Sequence, residues 1–316
     1  MWQEYLFPAT VQEALEMLAA HDGQAQIIAG GTDLVLQSQR GQCMARVMVD
    51  ITRIPGLDII EEREGYVTIG CQVTHAQIAA SPLIRQKAEV LALACGSVGG
   101  PQTRNVGTLV GNVVNALPAA DGAVALFALD AEVEVALQPP TSNLQPPTGR
   151  RWLPIAEMYT GVGKCAINPC AQMVTAIRFR PLTDGWASAY QRLANRKALT
   201  LPMLNVAVVV GLETGHRFQV SGHRFQVSGH RSNGVCSEAR IAIGPVAPTP
   251  FRASEAEAAL IGHAPNAETI AQAAQLAADA ADPRDSVLRG SRDYRKAMVE
   301  VLVRRALTEA VTNAGR

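Results

Sequence analysis

The features that most constrain this chain are two glycine-bearing segments, residues 29–34 (Ala-Gly-Gly-Thr-Asp-Leu) and residues 105–112 (Asn-Val-Gly-Thr-Leu-Val-Gly-Asn). The first follows residues 26–29, which we predict to be a buried strand. Glycines let backbone N–H groups approach a ligand that any Cβ would push away. A single Gly-Gly pair is more often only a tight turn. Two such segments with adjacent Thr, Asn and Asp side chains predict one large phosphate-bearing ligand, a dinucleotide.

Other ligand and catalytic signatures are missing from the sequence. Neither segment has the G-x-G-x-x-G spacing of a nicotinamide-binding turn or the G-x-x-x-x-G-K-[ST] spacing of a nucleotide triphosphate loop. No serine–histidine–aspartate set, zinc-ligand spacing or carboxylate pair stands out. We interpret the isolated His75 as a hydrogen-bonded structural residue rather than a base. The remaining interpretation is that the chain binds a ligand, as in a protein whose cofactor performs the chemistry.

The composition argues for a soluble chain without a polyanionic partner. Its 316 residues, 48% of them hydrophobic, exceed one compact core, so we expect two domains or three subdomains. Lys+Arg and Asp+Glu balance at 28 each, which argues against binding to nucleic acid or an anionic membrane. No signal peptide or membrane-spanning stretch is visible, and we expect a cytoplasmic protein. Six scattered cysteines suit a reducing compartment, and we interpret them as small buried residues rather than iron–sulfur ligands.

Apolar periodicity predicts alternating helices and strands in the first half of the chain. Residues 10–21 are predicted to form a helix, with Thr10 as its cap and Glu13 completing a capping box. Other strands are predicted at residues 46–50, 66–70 and 131–137, other helices at 74–80, 82–95 and 124–130, and a turn-rich surface loop at 139–148. Residues 96–121 are rich in Gly, Ala and Asn, which suits backbone lying against a ligand; the alternative is a well-packed irregular loop.

The second half of the chain is predicted to place strands before helices. A Pro-Leu-Thr-Asp-Gly sequence at residues 181–185 interrupts the pattern, and we place the main domain boundary at about residue 178. Beyond it we predict strands at residues 187–192, 206–212 and 239–244, then helices at 255–261, 266–281 and 291–314. This order is typical of α+β layering.

A verbatim repeat interrupts the second half. Residues 215–221 (Gly-His-Arg-Phe-Gln-Val-Ser) recur at 222–228, and a third copy begins at 229. A metal site built from His216, His223 and His230 is conceivable. However, a spacing of seven residues in an extended segment alternates the faces on which the histidines point. We therefore favour a tandem duplication that lengthens a surface hairpin, because two and a half copies are too few for a repeat architecture.

Residues 27–34, 100–112, 115–121 and 240–250 carry a family resemblance. In this order they resemble the FAD-binding subunit of the molybdenum hydroxylases, the group of xanthine dehydrogenase, carbon monoxide dehydrogenase and 4-hydroxybenzoyl-CoA reductase. The resemblance implies an α+β fold. A two-subdomain FAD-binding domain of the vanillyl-alcohol-oxidase (PCMH) type would cover residues 1–178, with subdomains at about 1–57 and 58–178. A C-terminal domain of antiparallel strands and helices, of the CO dehydrogenase flavoprotein type, would cover residues 179–316.

The resemblance also implies which residues hold FAD. The first segment would wrap the pyrophosphate, and the second would add pyrophosphate and ribityl contacts. Carried over by position, the first cradle comprises Ile28, Ala29, Gly30, Gly31, Thr32, Asp33 and Leu34. The second comprises Thr108, Gly111, Asn112, Asn115 and Asp121. Val98 and Gly99 would lie against the flavin, and Val174 would touch its ring from the second subdomain.

Two departures from the family pattern affect the expected site. The family's second loop reads Thr-Ile-Gly-Gly-Asn, and Val110 replaces the first of those glycines, which affects how closely the backbone can approach the cofactor. Residues 196–202 match no aromatic or lysine that some relatives place near the flavin, so the acceptor side of the ring stays unassigned. No cysteine-rich insertion for an extra iron–sulfur cluster is present.

The resemblance implies a place in an electron-transfer complex. A large molybdopterin-binding subunit would oxidise substrate, and a small subunit with two [2Fe-2S] clusters would pass electrons to the FAD of this chain. The FAD would deliver them to NAD⁺ or another acceptor. A dimer of such heterotrimers is expected. The alternatives are a stand-alone FAD-dependent oxidase of the vanillyl-alcohol type and a scaffold subunit that has lost its cofactor.

Overall fold

A computed structural model describes residues 2–137, 149–213 and 234–315 of the chain. The predicted surface loop at 139–148 lies outside the described residues. The same holds for the repeat at 215–231 and for the histidine metal site considered within it. In the described parts, helices and sheets form the expected α+β architecture.

The chain begins with a small parallel sheet and two helices. In chain order these elements are β1 (Glu4–Leu6), α1 (Val11–Ala20), β2 (Ala25–Ile28), α2 (Leu34–Gln39) and β3 (Val47–Asp50). The strands are ordered β1-β3-β2, all parallel. The first glycine segment therefore leaves the carboxyl end of β2, where open parallel sheets commonly bind ligands.

The predicted capping box of α1 forms only in part. The Thr10 hydroxyl accepts a hydrogen bond from the Glu13 N–H at 3.0 Å, as predicted. The Glu13 carboxylate accepts from the N–H of Ala9 at 2.6 Å rather than from Thr10. The carboxylate thus satisfies a donor one residue earlier than the motif requires, while Leu15 and Leu18 bury the apolar face of the helix.

A larger antiparallel sheet follows. Its strands and the adjoining hairpin are β4 (Ile60–Arg63), β5 (Tyr66–Gly70), β6 (Glu132–Leu137), β7 (Gly149–Pro154), β8 (Tyr159–Gly161), β9 (Lys164–Cys165) and β10 (Gln172–Phe179). The sheet order is β4-β5-β10-β6-β7, and β8 pairs with β9. The sequence predicted β5 and β6 but missed the others, several of which are short or carry many exposed polar residues.

Six short helices lie between β5 and β6. They are α3 (His75–Ala80), α4 (Pro82–Lys87), α5 (Glu89–Gly96), α6 (Pro101–Val106), α7 (Leu109–Val114) and α8 (Asp121–Ala128). The predicted single helix at 82–95 is wrong, because Ala88 adopts φ −161°, ψ 59° and separates α4 from α5. The irregular-loop alternative for residues 96–121 is also wrong. Pro101 at the first turn of α6 and Thr108 at the cap of α7 start two helices there.

The C-terminal part is an antiparallel sheet followed by helices, as predicted, but the sheet has four strands rather than the three predicted. Its elements are β11 (Trp186–Leu193), β12 (Leu204–Glu213), β13 (Val235–Gly244), β14 (Phe251–Arg252), α9 (Ser254–Ala258), α10 (Ala267–Ala280) and α11 (Arg292–Ala314). The strands are ordered β11-β12-β13-β14.

Strand β12, one of the two inner strands of this sheet, is buried on both faces. Val206 and Val208 of β12 pack in a core with α10 and α11. Ala207 and Val209 of the same strand pack in the core that contains α8 and the five-stranded sheet. The alternation of β12 side chains therefore joins the two cores across one sheet.

Candidate cofactor site

One cleft of about 890 Å³ collects all fifteen residues that the family resemblance assigned to FAD. Its wall includes residues 28–34, Val98, Gly99, Thr108, Gly111, Asn112, Asn115, Asp121 and Val174. The volume falls within the range typical of cofactor and ligand clefts. Two segments separated by more than seventy residues in sequence are thus brought to one site, although the contact that each residue makes with FAD stays a prediction.

The two glycine segments touch each other at Gly30. A Cβ on Gly30 would lie 2.0 Å from the carbonyl oxygen of Val106 and 3.0 Å from Cα of Gly107. Backbone therefore occupies the space where any other side chain would begin. Gly31 has φ +64°, a left-handed conformation that L-residues rarely adopt. The glycine pair is needed both for this close approach and for the turn after β2.

The first segment leaves its backbone donors open. Within the described part of the chain, the N–H groups of Gly30, Gly31, Thr32 and Asp33 donate no hydrogen bond to protein. The carbonyl of Gly31 accepts from Val35 at 2.9 Å, which fixes the start of α2. Consecutive free N–H groups between a strand and a helix suit phosphate oxygens. This donor set fits the diphosphate of FAD.

The second segment uses more of its polar groups within the protein. The Thr108 hydroxyl accepts from the N–H of Gly111 at 3.0 Å and caps α7. The side-chain oxygen of Asn112 accepts from the N–H of Ala123 at 3.3 Å, which ties α7 to α8. The N–H of Gly111 is therefore engaged by the cap, while the Thr108 hydroxyl keeps its own hydrogen for a ligand.

Side chains at residues 33, 37 and 115 bridge the two segments. Asp33 precedes α2, and its side chain makes no capping hydrogen bond. Burial raises the pKa of its carboxyl, and a hydrogen bond with Asn115 acts in the opposite direction. Gln37 donates to the side-chain oxygen of Asn115 at 3.0 Å. Asn115 thus joins α2 to the end of α7 at the cleft wall.

Asp121 is held by three side chains of the C-terminal part. Its Oδ1 accepts hydrogen bonds from the Tyr190 hydroxyl at 2.6 Å, Arg192 Nε at 2.9 Å and Asn205 Nδ2 at 3.3 Å. Burial and the neighbouring Asp121 raise the pKa of Tyr190 well above its usual value. Arg192 also donates to the carbonyl of Thr200 at 2.6 Å. One arginine therefore links the first residue of α8 to the segment between β11 and β12.

That connecting segment forms part of the cleft, which the sequence did not reveal. Leu199, Thr200 and Leu201 line the cleft, and the N–H of Leu199 donates to the carbonyl of Gly99 at 3.2 Å. A Cβ on Gly100 would lie 2.9 Å from the Leu199 side chain. Leu199 has φ +54°, an unusual conformation for leucine that no residue pattern signals. These leucines occupy a region where the sequence matched no flavin-side aromatic or lysine.

His75 also lines the cleft, and its interpretation as a hydrogen-bonded structural residue is wrong for its ring. Its backbone N–H donates to the carbonyl of Gly107 at 3.0 Å. The residue is only 3% exposed, and Nδ1 has no partner within the described residues. Burial, followed by the positive charge of Arg104, lowers the pKa of His75 to about 4. The burial of His75 and its place in the cleft wall could not be read from a lone histidine in the sequence.

Other possible sites are not supported within residues 2–137, 149–213 and 234–315. No group of three or more His, Cys, Asp or Glu side chains there could hold a metal ion. All six cysteines are free thiols, three of them buried and three partly buried. None of the described helices is long and apolar enough to cross a bilayer.

Two protein families match most of the chain. Residues 2–181 match the family described as the FAD binding domain in molybdopterin dehydrogenase. Residues 188–310 match the CO dehydrogenase flavoprotein C-terminal domain.

Full-length relatives agree as well. The chain is 29% identical over 309 residues to a xanthine dehydrogenase FAD-binding subunit of Escherichia coli, covering 97% of this chain and 95% of the relative. It is 30% identical over 311 residues to subunit alpha of the 6-hydroxypseudooxynicotine dehydrogenase complex of Paenarthrobacter nicotinovorans, covering 98% and 95%. A chain of carbon monoxide dehydrogenase from Hydrogenophaga pseudoflava superposes with a TM-score of 0.84 at 29% identity, covering 99% and 98%. The protein therefore belongs to the FAD-binding subunits of the molybdenum hydroxylase family of oxidoreductases.

Proposed function

We propose that this chain is the electron-exit subunit of a multisubunit molybdenum hydroxylase. Electrons would enter from the [2Fe-2S] clusters of a small partner subunit and leave through FAD to an external acceptor. The observation that carries the proposal is the row of four free N–H donors at residues 30–33, in residues that line the cleft of a chain of this family. FAD supplies the redox chemistry when it is bound, because a flavin exchanges electrons singly or in pairs.

The residues of the chain would bind and orient the cofactor. The N–H groups at residues 30–33 suit the diphosphate, and the hydroxyls of Thr32 and Thr108 are further donors. Asp121 is a hydrogen-bond acceptor, and the donors from Tyr190 and Arg192 fix the carboxylate that would meet a ribityl hydroxyl. The apolar side chains of Val98 and Val174 suit a flavin ring and would exclude water from it.

The partner subunits follow from the same family membership. Similar proteins are named as a medium chain of carbon monoxide dehydrogenase and as a subunit of a dehydrogenase complex. A structural relative is named Cu,Mo-CO dehydrogenase. These names support a large subunit with a molybdopterin cofactor and a small subunit with two [2Fe-2S] clusters. A dimer of heterotrimers, NAD⁺ as the acceptor and a cytoplasmic location stay predictions.

The stand-alone oxidase alternative has less support. The relatives named as subunits or medium chains align with at least 95% of their own length, so this chain has the extent of a subunit. The division into domains at residues 1–178 and 179–316 also stays a prediction. A scaffold without cofactor remains one outcome of the experiment below.

The experiment is titration of the purified full chain with FAD, followed by co-purification from the native source with metal analysis. We expect one FAD per chain, and molybdenum, iron and flavin together in the complex. Gly31→Val should abolish FAD binding, because a β-branched residue is strained at φ +64° and its Cβ would lie 3.1 Å from the Ile28 side chain. Gly23→Val is the matched control, since Gly23 has φ +79° with nothing within 4 Å of its Cβ position.

Three results would contradict the proposal. A wild-type chain that binds no FAD but assembles with its partners would be a scaffold. A flavoprotein that purifies alone and oxidises a small molecule would be a stand-alone oxidase. Equal loss of FAD in the Gly31 and Gly23 variants would remove the assignment of the first segment to the diphosphate.

A further inference from the structure

We propose that His75 is a further cofactor-positioning residue, whose ring donates a hydrogen bond from Nε2 to an oxygen in the phosphate–ribityl part of FAD. This inference rests on the FAD binding proposed above. It adds a residue that neither the glycine segments nor the family resemblance assigned.

The first step is the position of the ring beside Gly107, in the second glycine segment, and Gly122, in α8. His75 Cδ2 lies 3.6 Å from the position that a Cβ on Gly107 would take. His75 Cε1 lies 3.7 Å from the corresponding position on Gly122. In an imidazole these two carbons flank Nε2, so this nitrogen lies close to two glycines, and a side chain on either glycine would approach the ring.

The second step is the set of neighbours around those glycines. The Thr32 hydroxyl oxygen lies 3.4 Å from the Cβ position of Gly107, which the histidine ring also approaches. The Asn112 side-chain oxygen lies 3.1 Å from the Cβ position of Gly122. Thr32, Asn112 and His75 all line the cleft. The ring therefore lies among residues expected to meet the diphosphate and the ribityl chain.

The third step is the hydrogen-bonding state of the ring. A neutral imidazole carries one N–H donor and one acceptor nitrogen. The low pKa of His75, about 4, keeps the ring neutral near pH 7. Nδ1 is enclosed without a partner in the described part of the protein. Orphaned buried N–H groups are rarer than orphaned acceptors, so the favoured tautomer leaves the proton on Nε2.

The fourth step is the match between this donor and the ligand. The first segment contributes backbone donors from one side of the cleft, at residues 30–33. His75 adds a side-chain donor at the start of α3, which is itself fixed by the capping box of Thr74 with Gln77. A donor held on a capped helix costs little ordering entropy when the ligand binds.

The test combines affinity and spectroscopy on the full chain. FAD affinity is measured for wild type, His75→Leu and His75→Gln by quenching of flavin fluorescence. Leucine fills the space without a donor, whereas the glutamine amide retains one. We expect His75→Leu to weaken FAD binding about tenfold or more, as for loss of a hydrogen bond to a charged group, and His75→Gln to recover part of the loss. His263→Gln, at an exposed histidine, is the matched control and should bind FAD as wild type does.

The second readout is the pair of ring ¹⁵N shifts of His75 in protein labelled at histidine, with His75→Leu used to assign the signal. We expect a protonated Nε2 that shifts when FAD is added and also when ADP is added, since ADP contains the diphosphate. Wild-type protein that binds FAD with an unmoved His75 signal overturns this inference alone. Equal affinity of wild type and His75→Leu does the same. Wild-type protein that binds no FAD overturns the proposed function as well.

Discussion

The two glycine segments meet at one cleft but are held there differently. The first, residues 29–34, leaves four consecutive N–H groups without protein acceptors in the described chain. The second, residues 105–112, is fixed by a helix cap at Thr108 and by Asn112, and the chain that follows it is held by the C-terminal side chains around Asp121. Open donors suit a ligand, whereas satisfied groups suit a rigid wall. The comparison shows that the first segment keeps more of its polar groups free, while the second is the more firmly fixed part of the cleft wall.

The largest expected effect is at the contact between the segments. Gly30→Ala places a Cβ 2.0 Å from the Val106 carbonyl oxygen, so one backbone must move. Overpacking of this kind costs about 1–3 kcal/mol, occasionally more. Because the displaced backbone carries the free donors, we expect FAD affinity to fall more than a hundredfold, measured by FAD titration alongside chemical unfolding.

The control for this variant is a glycine without such contact. Gly96→Ala would put a Cβ 3.7 Å from Ala79 Cβ, which is ordinary packing. It should leave both FAD affinity and the free energy of unfolding close to wild type. If Gly30→Ala behaves like Gly96→Ala, the convergence of the two segments has no role in binding.

The next prediction concerns the hydrogen bonds that hold Asp121. Asp121→Ala removes the acceptor of Tyr190, Arg192 and Asn205 and leaves a guanidinium whose side chain is only 12% exposed. Breaking a buried pair costs about 3–5 kcal/mol. Unfolding by urea should show a loss of that order. Glu132→Ala, at a pair with Arg178 in which both side chains are 25–33% exposed, should cost less than about 1 kcal/mol. Similar losses in the two variants would contradict a special role for Asp121.

An intermediate effect concerns pH. The pKa of His75 is lowered from 6.5 to about 4, so between these values the unfolded chain binds more protons than the folded one. The contribution of this residue to the free energy of unfolding is therefore fully present above pH 6.5. It decreases by about 3 kcal/mol in total as the pH falls to 4. Urea unfolding at several pH values should show this loss in wild type, and His75→Leu should show a flatter profile between pH 6.5 and 4. Identical profiles would mean that the ring is accessible to protons in the folded state.

The smallest effect separates capping from binding. Thr108→Ala removes the cap of α7 at the cleft, and Thr10→Ala removes the cap of α1 elsewhere. Each should cost about 0.5–2 kcal/mol. Only Thr108→Ala should also weaken FAD binding, by a few-fold in fluorescence titration. Equal FAD affinities in the two variants would show that Thr108 acts only as a helix cap.

The sequence predicted the parts of the site that depend on backbone chemistry. Gly30 and Gly31 could be recognised because a glycine pair after a strand serves either a tight turn or a close approach of backbone to a ligand. The second glycine segment favoured the ligand. The helices and strands of the C-terminal half followed from periodicity, and the structure confirms them. The break at Ala88 was missed because alanine is a strong helix former, and only tertiary packing places it outside the helical region.

The missed parts of the site depend on contacts between distant segments. Leu199 enters the cleft because the β11–β12 connection reaches Gly99, about a hundred residues earlier. Arg192 meets Asp121 only after the C-terminal sheet has packed against α8 through β12 and β13. His75 carries no sequence signal because its importance lies in burial and in an unpartnered ring nitrogen. Local patterns contain no information on such pairs.

The burial of β12 on both faces has a consequence for how the two halves of the chain can be separated or exchanged. Ala207 and Val209 complete the core that contains α8 and the five-stranded sheet. We therefore expect that the region before β11 does not fold on its own. A shortened gene ending near residue 181 would yield a polypeptide with an uncovered apolar α8, prone to aggregation. Recombination among relatives should therefore succeed only when both halves are exchanged together.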